Sequence, residues 1–298
     1  MAAKPRGRLV WSGGTRVRCG ALVETGAAEA ADGALLAERV RRDGYLLVRG
    51  LLARRDVLAA RAAIFGAVGV GDVGSVSDMP SLMGRQDVAA LPAVRRVLES
   101  AAIAVLLRRI ASASSDGGGA DPLVPIPFKW LRAVPPGLFT GVHFDRVYFP
   151  AMNDNTQTAW TPLGDVPVEH GAMMVCEGAH RHGHPRYDVL RSYLTGEGAV
   201  SGTRAAGNGT DSGWYARDAA QVVRDCPGAR WLTADLRAGD VVILPLETLH
   251  CTAVNTLQRH RISCDVRWVP LPIRQGSDEE KGSDGQRTEG EGKRRRRR

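Results

Sequence analysis

Lysine is nearly missing from this chain: it occurs four times against 36 arginines in 298 residues. That bias speaks of codon composition more than of function. Cysteine is also sparse. The five residues Cys19, Cys176, Cys226, Cys251 and Cys264 are an odd number without a Cys-x-x-Cys pair. Their pattern argues against a disulfide framework or a cysteine-rich zinc site and fits a reducing compartment. No apolar run approaches the ~18 residues that a membrane-spanning helix needs. A charged n-region, apolar h-region and cleavage site are missing from the start, so the expectation is a cytoplasmic protein with no membrane span. No internal repeat is present.

Excess charge is also scarcer than it first looks. The 40 basic and 32 acidic residues give a net charge of +8, which would suit a polyanionic partner. Lys293 and Arg294 to Arg298 hold six of the 40, leaving 34 against 32. The basicity is mostly a tail, for which a nuclear address stays open. No specific nucleic-acid partner is expected. A C-terminal Ser-Lys-Leu-type address is not seen, which argues against peroxisomal import by that route.

What is there divides into two styles. Residues 1–26 are basic and read as a flexible terminus. Ala27 to Arg42, Arg54 to Val68 and Ala93 to Ala111 carry apolar residues at helical spacing. Tyr45 to Arg49 is strand-like between the first two. Ser112 to Ala120 reads as a flexible connection. From about Pro125, short apolar or alternating runs recur between Gly, Pro and Asp: 126–134, 142–149, 158–163, 172–176, 230–235, 240–245 and 261–269. That is the pattern of a β-sandwich or barrel. A Gly/Ser/Thr-rich insertion runs from Leu194 to Gly213, and Trp214 to Arg224 has helical character. Residues 274–298 are polar and charged and are expected to be disordered. The reading is a single domain over 27–273, helical in 27–111 and β-rich over about 125–270.

Two of the seven histidines sit in informative contexts. In Gly141-Val142-His143-Phe144-Asp145, strand alternation puts His143 and Asp145 on one side, where they can share a metal ion. His250 follows the turn and apolar run Gly239-Asp240-Val241-Val242-Ile243-Leu244-Pro245. Arg261 lies eleven residues beyond His250, suited to a two-pronged grip on a carboxylate. Two histidines and one carboxylate leave a metal's other face open, as in the non-haem Fe(II) oxygenases.

With these residues in place, the sequence resembles the phytanoyl-CoA dioxygenase family of Fe(II)/2-oxoglutarate oxygenases. The likeness is carried by Asp43-Gly44-Tyr45-Leu46-Leu47-Val48-Arg49-Gly50-Leu51-Leu52, His143-Phe144-Asp145 and Trp160-Thr161-Pro162-Leu163. It continues through Gly171 to His180, then His250 and Arg261. Where the family has Pro-Gly-Ser-His, this chain has Glu177-Gly178-Ala179-His180. The resemblance implies a double-stranded β-helix, or jelly roll, flanked by helices. It implies Fe(II) held by His143, Asp145 and His250, with 2-oxoglutarate and O2 as cosubstrates. Arg261 would pair with the distal carboxylate, helped by the Thr252 hydroxyl, and Trp160 would line the cosubstrate pocket. The implied activity is oxidation of an unactivated C–H bond of a small-molecule substrate, with release of succinate and CO2. Asp145 favours hydroxylation over halogenation, because related halogenases lack that carboxylate.

Other readings stay open beside this one. A jelly-roll protein could bind metal or ligand without turnover, and the basic tail could attach to nucleic acid. Arg259 shares strand parity with Arg261 and competes for its role. Arg267 has the same parity and reads as structural. Lys129 reads as an edge lysine reaching solvent, with a cosubstrate contact as the alternative. His180, His182 and His184 read as incidental surface histidines, and Cys251 and Cys264 as small buried residues.

Overall fold

The computed structural model describes residues 7–71, 79–114, 122–183, 187–195 and 213–271. The loop beyond residue 114, most of the insertion after Leu194, His184 and the tail 274–298 lie outside the described residues.

The N-terminal stretch corrects the sequence expectation. Residues 8–25 are not a loose extension but form β1 (Arg8–Ser12), β2 (Thr15–Ala21) and β3 (Glu24–Thr25). β1 and β2 pair antiparallel, with Ser12 opposite Thr15 across a Gly13-Gly14 turn. Val10, Ser12, Val17 and Cys19 face inward, while Arg16 and Arg18 point outward. The basic residues are the solvent side of an alternating strand pair.

The chain then turns helical. α1 (Ala27–Ala31) and α2 (Gly33–Asp43) replace the single expected helix. They break at Asp32, whose carboxylate accepts from Leu35 N at 3.1 Å and caps α2, a contact worth ~1 kcal/mol. α2 stops at Gly44, where φ is +80° and a Cβ would lie 2.2 Å from His180 Nδ1. Both the left-handed turn and the close ring demand glycine. β4 (Leu46–Val48), α3 (Arg54–Val68), α4 (Gln86–Ala89), α5 (Pro92–Leu98) and α6 (Ala101–Ser114) follow. The expected helix over Ala93–Ala111 is thus also two, broken at Glu99 and Ser100.

Next come β5 (Leu123–Pro125), β6 (Trp130–Val134), β7 (His143–Phe144), β8 (Gln157–Pro162) and β9 (Met173–Cys176). α7 (Asp188–Thr195) and α8 (Ala219–Asp225) precede β10 (Trp231–Thr233), β11 (Val241–Pro245), β12 (Leu249–Thr252) and β13 (Arg261–Pro270). One sheet runs β1-β2-β10-β9-β12-β7. The other runs β3-β4-β11-β8-β13-β5, with β6 also on β13. Pairing is antiparallel apart from β2 with β10 and β3 with β4. The fold is a jelly roll. Among the described residues, no helix is long and apolar enough to cross a membrane.

Strand alternation sorts the second sheet's side chains. Leu46, Val48, Ala159, Ile243, Ile262, Cys264, Val266 and Trp268 join Leu36, Ile64 and Leu106 from the helices in one core. Leu47, Trp160 and Val242 face the other way, into the core shared with the first sheet. β13 follows the same period, but its inward residues are Arg261, Ser263, Asp265 and Arg267, all buried. Four polar side chains in a row inside a barrel are costly unless something pairs them. They mark where the chemistry lies.

Candidate metal centre

β7 is two residues long and sits at the edge of its sheet, against β12. Their register places His143 directly opposite His250. The two rings lie 4.2 Å apart between centroids. His143 Nδ1 is 2.8 Å from Gly141 O, and His250 Nδ1 is 2.9 Å from Thr248 O. A carbonyl only accepts, so each Nδ1 carries the proton and each Nε2 keeps its lone pair free.

Asp145 reaches the same place differently from the alternation read in the sequence. The strand ends at Phe144, and Asp145 opens a short 3-10 turn, Asp145–Val147. Its Oδ1 comes within 3.7 Å of His143 Nε2. Ligand atoms of His143, Asp145 and His250 all lie within 4.8 Å of one another, and all three residues are buried. Thr158 Oγ1 donates to Asp145 Oδ2 at 2.6 Å, and Arg267 Nη2 donates to Oδ1 at 2.5 Å. The Arg267 guanidinium lies 4.4 Å from the Trp130 ring and 4.9 Å from the Phe149 ring.

Electrostatics fits the donor set to a divalent metal. Burial pushes His143 down to about 3, helped by the neighbouring His250, so the ring is neutral and its lone pair available. Burial alone would raise Asp145, but the Arg267 guanidinium beside it and the Thr158 hydroxyl outweigh it and hold the carboxylate ionised. Two imidazoles whose Nε2 atoms face the carboxylate's side, and one ionised carboxylate, suit a first-row metal with open positions.

Arg261 presents the opposite situation. It is fully buried at the start of β13. Nη1 donates to Gly171 O at 2.7 Å, while Nε and Nη2 have no hydrogen-bond partner. Burial pushes the guanidinium down to about 9, with Arg132 adding repulsion and Asp265 only partly offsetting it. A buried guanidinium with two unpaired donors is matched chemically by a carboxylate. Thr252 and Trp160 line the same space, together with His143 and His250. Thr252 Oγ1 accepts from Thr140 N at 2.8 Å, so its own proton is left to donate. The space amounts to about 10 Å³. Arg132 borders it and donates to Asp265 Oδ2 from Nε (3.0 Å) and Nη2 (2.8 Å). On the other side of His143 and Asp145 opens a larger cleft of about 710 Å³, which Arg132 also borders.

Other residues singled out in the sequence fall elsewhere. Arg259 is exposed and lines a separate depression with Arg54, Arg61 and His170. Lys129 does not reach along an edge to solvent. It is buried, 3.1 Å from Glu99 Oε1, and its Nζ donates to Ile126 O. His180 is no incidental surface residue: its Nε2 meets Arg41 O at the end of α2 at 3.0 Å. His182 is exposed beside Glu247. Cys251 and Cys264 are buried and free, with their thiols pushed up by burial. Arg267, read as structural, instead touches the candidate metal ligand Asp145. Its strand parity with Arg261 was the available signal. Thr158 gave no signal, because only folding brings it to Asp145.

A two-histidine, one-carboxylate cluster inside a jelly roll is a donor set that could hold a non-haem metal ion. The sequence matches the phytanoyl-CoA dioxygenase (PhyH) family over residues 40–263, and the chain belongs to that family. No curated protein matches it. Among solved structures it is similar to the non-haem alpha-ketoglutarate-dependent epimerase SnoN from nogalamycin biosynthesis. That match has 23% identity and a TM-score of 0.53 over 85% of this chain and 91% of that one. The carbocyclase SnoK of the same biosynthesis matches at 23% identity and TM-score 0.52, over 86% and 93%. EctD from S. alaskensis matches at 15% and 0.52, over 89% and 83%. At these identities the likeness is one of fold.

Proposed function

We propose that this protein is an Fe(II)- and 2-oxoglutarate-dependent dioxygenase that hydroxylates an unactivated C–H bond of a small molecule. The observation that carries the reading is the pairing of two features in one interior. The two histidines of the His143, Asp145 and His250 cluster line a small space, and Arg261, with its unpaired Nε and Nη2, lines the same space. His143, Asp145 and His250 would hold the iron. Arg261, with the Thr252 hydroxyl, would hold the distal carboxylate of 2-oxoglutarate beside Trp160. Iron with this keto acid and O2 supplies the oxidising power: the acid becomes succinate and CO2, and one oxygen atom goes to the substrate.

The chain's own part is binding, orientation and exclusion of water. Gly141 O and Thr248 O fix the two imidazoles. Thr158 and Arg267 fix the carboxylate. Space of about 10 Å³ holds no more than one water, so a five-carbon dicarboxylate enters only as a bordering side chain moves. Arg132, Thr140 and His143 border both that space and the outer cleft, and of the three Arg132 has the long side chain that can swing aside. The wider cleft would take the substrate against His143 and Asp145.

Anaerobic full-length protein given Fe(II) and 2-oxoglutarate should develop a weak visible charge-transfer band. Slow succinate release should follow on admitting O2, even without substrate. His143→Ala should abolish the band, and Arg261→Ala should weaken 2-oxoglutarate more than iron. Iron-loaded protein that shows no band and releases no succinate sinks the reading. A band without succinate release identifies a binding protein of the same fold instead.

A further inference from the structure

β7 ends its sheet, with β12 on one side. A strand in that place leaves a row of backbone groups open on its other side. Where the chain enters β7, that side is covered. Residues 213–217 cross it as a strap, and Val142 pairs with Ala216. Val142 N donates to Ala216 O at 2.8 Å, and Tyr215 N donates to Val142 O at 2.6 Å. Val142, Tyr215 and Ala216 are all buried. The strap is itself anchored. Tyr193 Oη donates to Trp214 O at 3.0 Å, and Tyr215 Oη donates to Asp225 Oδ2 at 2.7 Å.

The bond from Val142 N reaches the candidate ligand through the backbone. Val142 N and Gly141 O belong to one peptide unit, which is planar and trans, so its N–H and C=O point in opposite directions. Ala216 O holds the N–H, and His143 Nδ1 donates to the C=O at 2.8 Å. Fixing one end of the unit aims the other. Packing fixes its plane as well. A Cβ on Gly141 would overlap the Trp214 indole at Cε3 and Cδ2, so the ring lies directly on the Gly141 backbone. From the strap's side, a Cβ on Gly213 would lie 2.5 Å from Tyr148 Cε1. The Tyr148 ring in turn stands 5.7 Å from the His143 ring. Strap and ligand segment press together at two places, and each contact needs a glycine.

We infer that Trp214 and the backbone of Ala216 position His143: they hold the Gly141–Val142 peptide unit so that its carbonyl fixes the imidazole with Nε2 towards Asp145. The inference rests on the reading of His143 as a metal ligand. Trp214 also lines the cleft beside His143 and Asp145, so a molecule bound there meets the ring that braces the ligand's support.

NMR of the full-length, metal-free protein with isotope-labelled histidine reads the positioning directly. The His143 signals are assigned by their loss in His143→Gln. Native His143 should carry its proton on Nδ1 and exchange it slowly with solvent. Gly141→Ala should mix the two tautomers and weaken Co(II), followed by absorption titration, about 10- to 100-fold. Trp214→Ala should speed exchange of the Nδ1 proton about tenfold and weaken Co(II) about threefold. In Gly141→Ala/Trp214→Ala no indole opposes the new Cβ. There the proton should return to Nδ1, and Co(II) affinity should come within about threefold of Trp214→Ala. A merely structural role would lower the urea midpoint and leave the tautomer and Co(II) affinity of the folded protein as they were, and that result overturns the inference. So do losses that simply add in the double variant. Where Gly141→Ala does not fold, Trp214→Ala decides through its exchange rate. An unchanged rate there, or one that Trp214→Phe does not slow again, overturns the inference. Native protein that takes up no Co(II) overturns the metal reading alone, and the tautomer with its response to the substitutions still decides the positioning.

Discussion

Arg267 and Arg261 lie on the same face of the same strand, six residues apart, and they differ in what balances their charge. Arg267 is paired with Asp145 and flanked by two rings. Both leave Nε and one terminal nitrogen without a hydrogen bond, but the bonded partner of Arg261 is a carbonyl, Gly171 O, rather than a carboxylate. At Arg267 the folded chain completes its own ion pair, and that pair aims a carboxylate at the two histidines. At Arg261 it retains a charge that its own residues do not neutralise. A protein tolerates an uncompensated buried charge where a ligand of opposite sign completes it. The contrast therefore separates what the fold supplies from what it leaves for a bound anion.

Substitutions sharpen that contrast. Removing a ligand should have the largest effect. His143→Ala should cost Co(II) affinity, read by absorption titration, by more than the ~100-fold that loss of an outer supporting partner costs. A smaller loss would mean that His143 is not a ligand. Next, Arg267→Met leaves Asp145 buried without its cation. It should lower unfolding free energy by about 3–5 kcal/mol in urea melts and weaken Co(II) by about 10- to 100-fold. Unchanged melts would make the ion pair irrelevant. Arg261→Met should move stability in the opposite sense, raising that of the ligand-free protein by ~1 kcal/mol as an uncompensated charge is removed. The same change should weaken 2-oxoglutarate about 10- to 100-fold and leave Co(II) affinity alone. If both arginine variants lower stability equally, the contrast between them is void. Smallest is Thr252→Val, which should weaken 2-oxoglutarate about fivefold through one lost hydroxyl contact. Calorimetry of the metal-loaded protein under nitrogen reads that difference.

Much of this was legible in the chain, for local reasons. Helical spacing found α3 at its observed bounds, because Val57, Ile64 and Phe65 make one buried face. His143-x-Asp145 and the distant His250 were visible as residue types that bind metal. What local reading lacked was partners. It took 27–42 for one helix, because the Asp32 cap acts across a helical-looking run. It took Lys129 for an edge residue, because Glu99 comes from another element. It passed over Arg267, because Asp145 and the rings of Trp130 and Phe149 converge on it only after folding. The wider cleft beside His143 and Asp145 was illegible for the same reason: its lining residues are spread from 81 to 267.

The Gly13-Gly14 hairpin bears on how this chain can be shortened. β2 covers the open side of β10. Trp11 O accepts from Val254 N, two residues past Thr252, and Ser12 Oγ accepts from Ala219 N. A chain trimmed at residue 26, where its charge pattern suggests a boundary, would bare the hydrogen-bonding rim of β10 and strip the cover from Cys19's neighbours. Such a rim recruits strands from other molecules. The trimmed protein should therefore associate edge to edge, and its loss of solubility would come from a missing border strand rather than from an impaired metal centre.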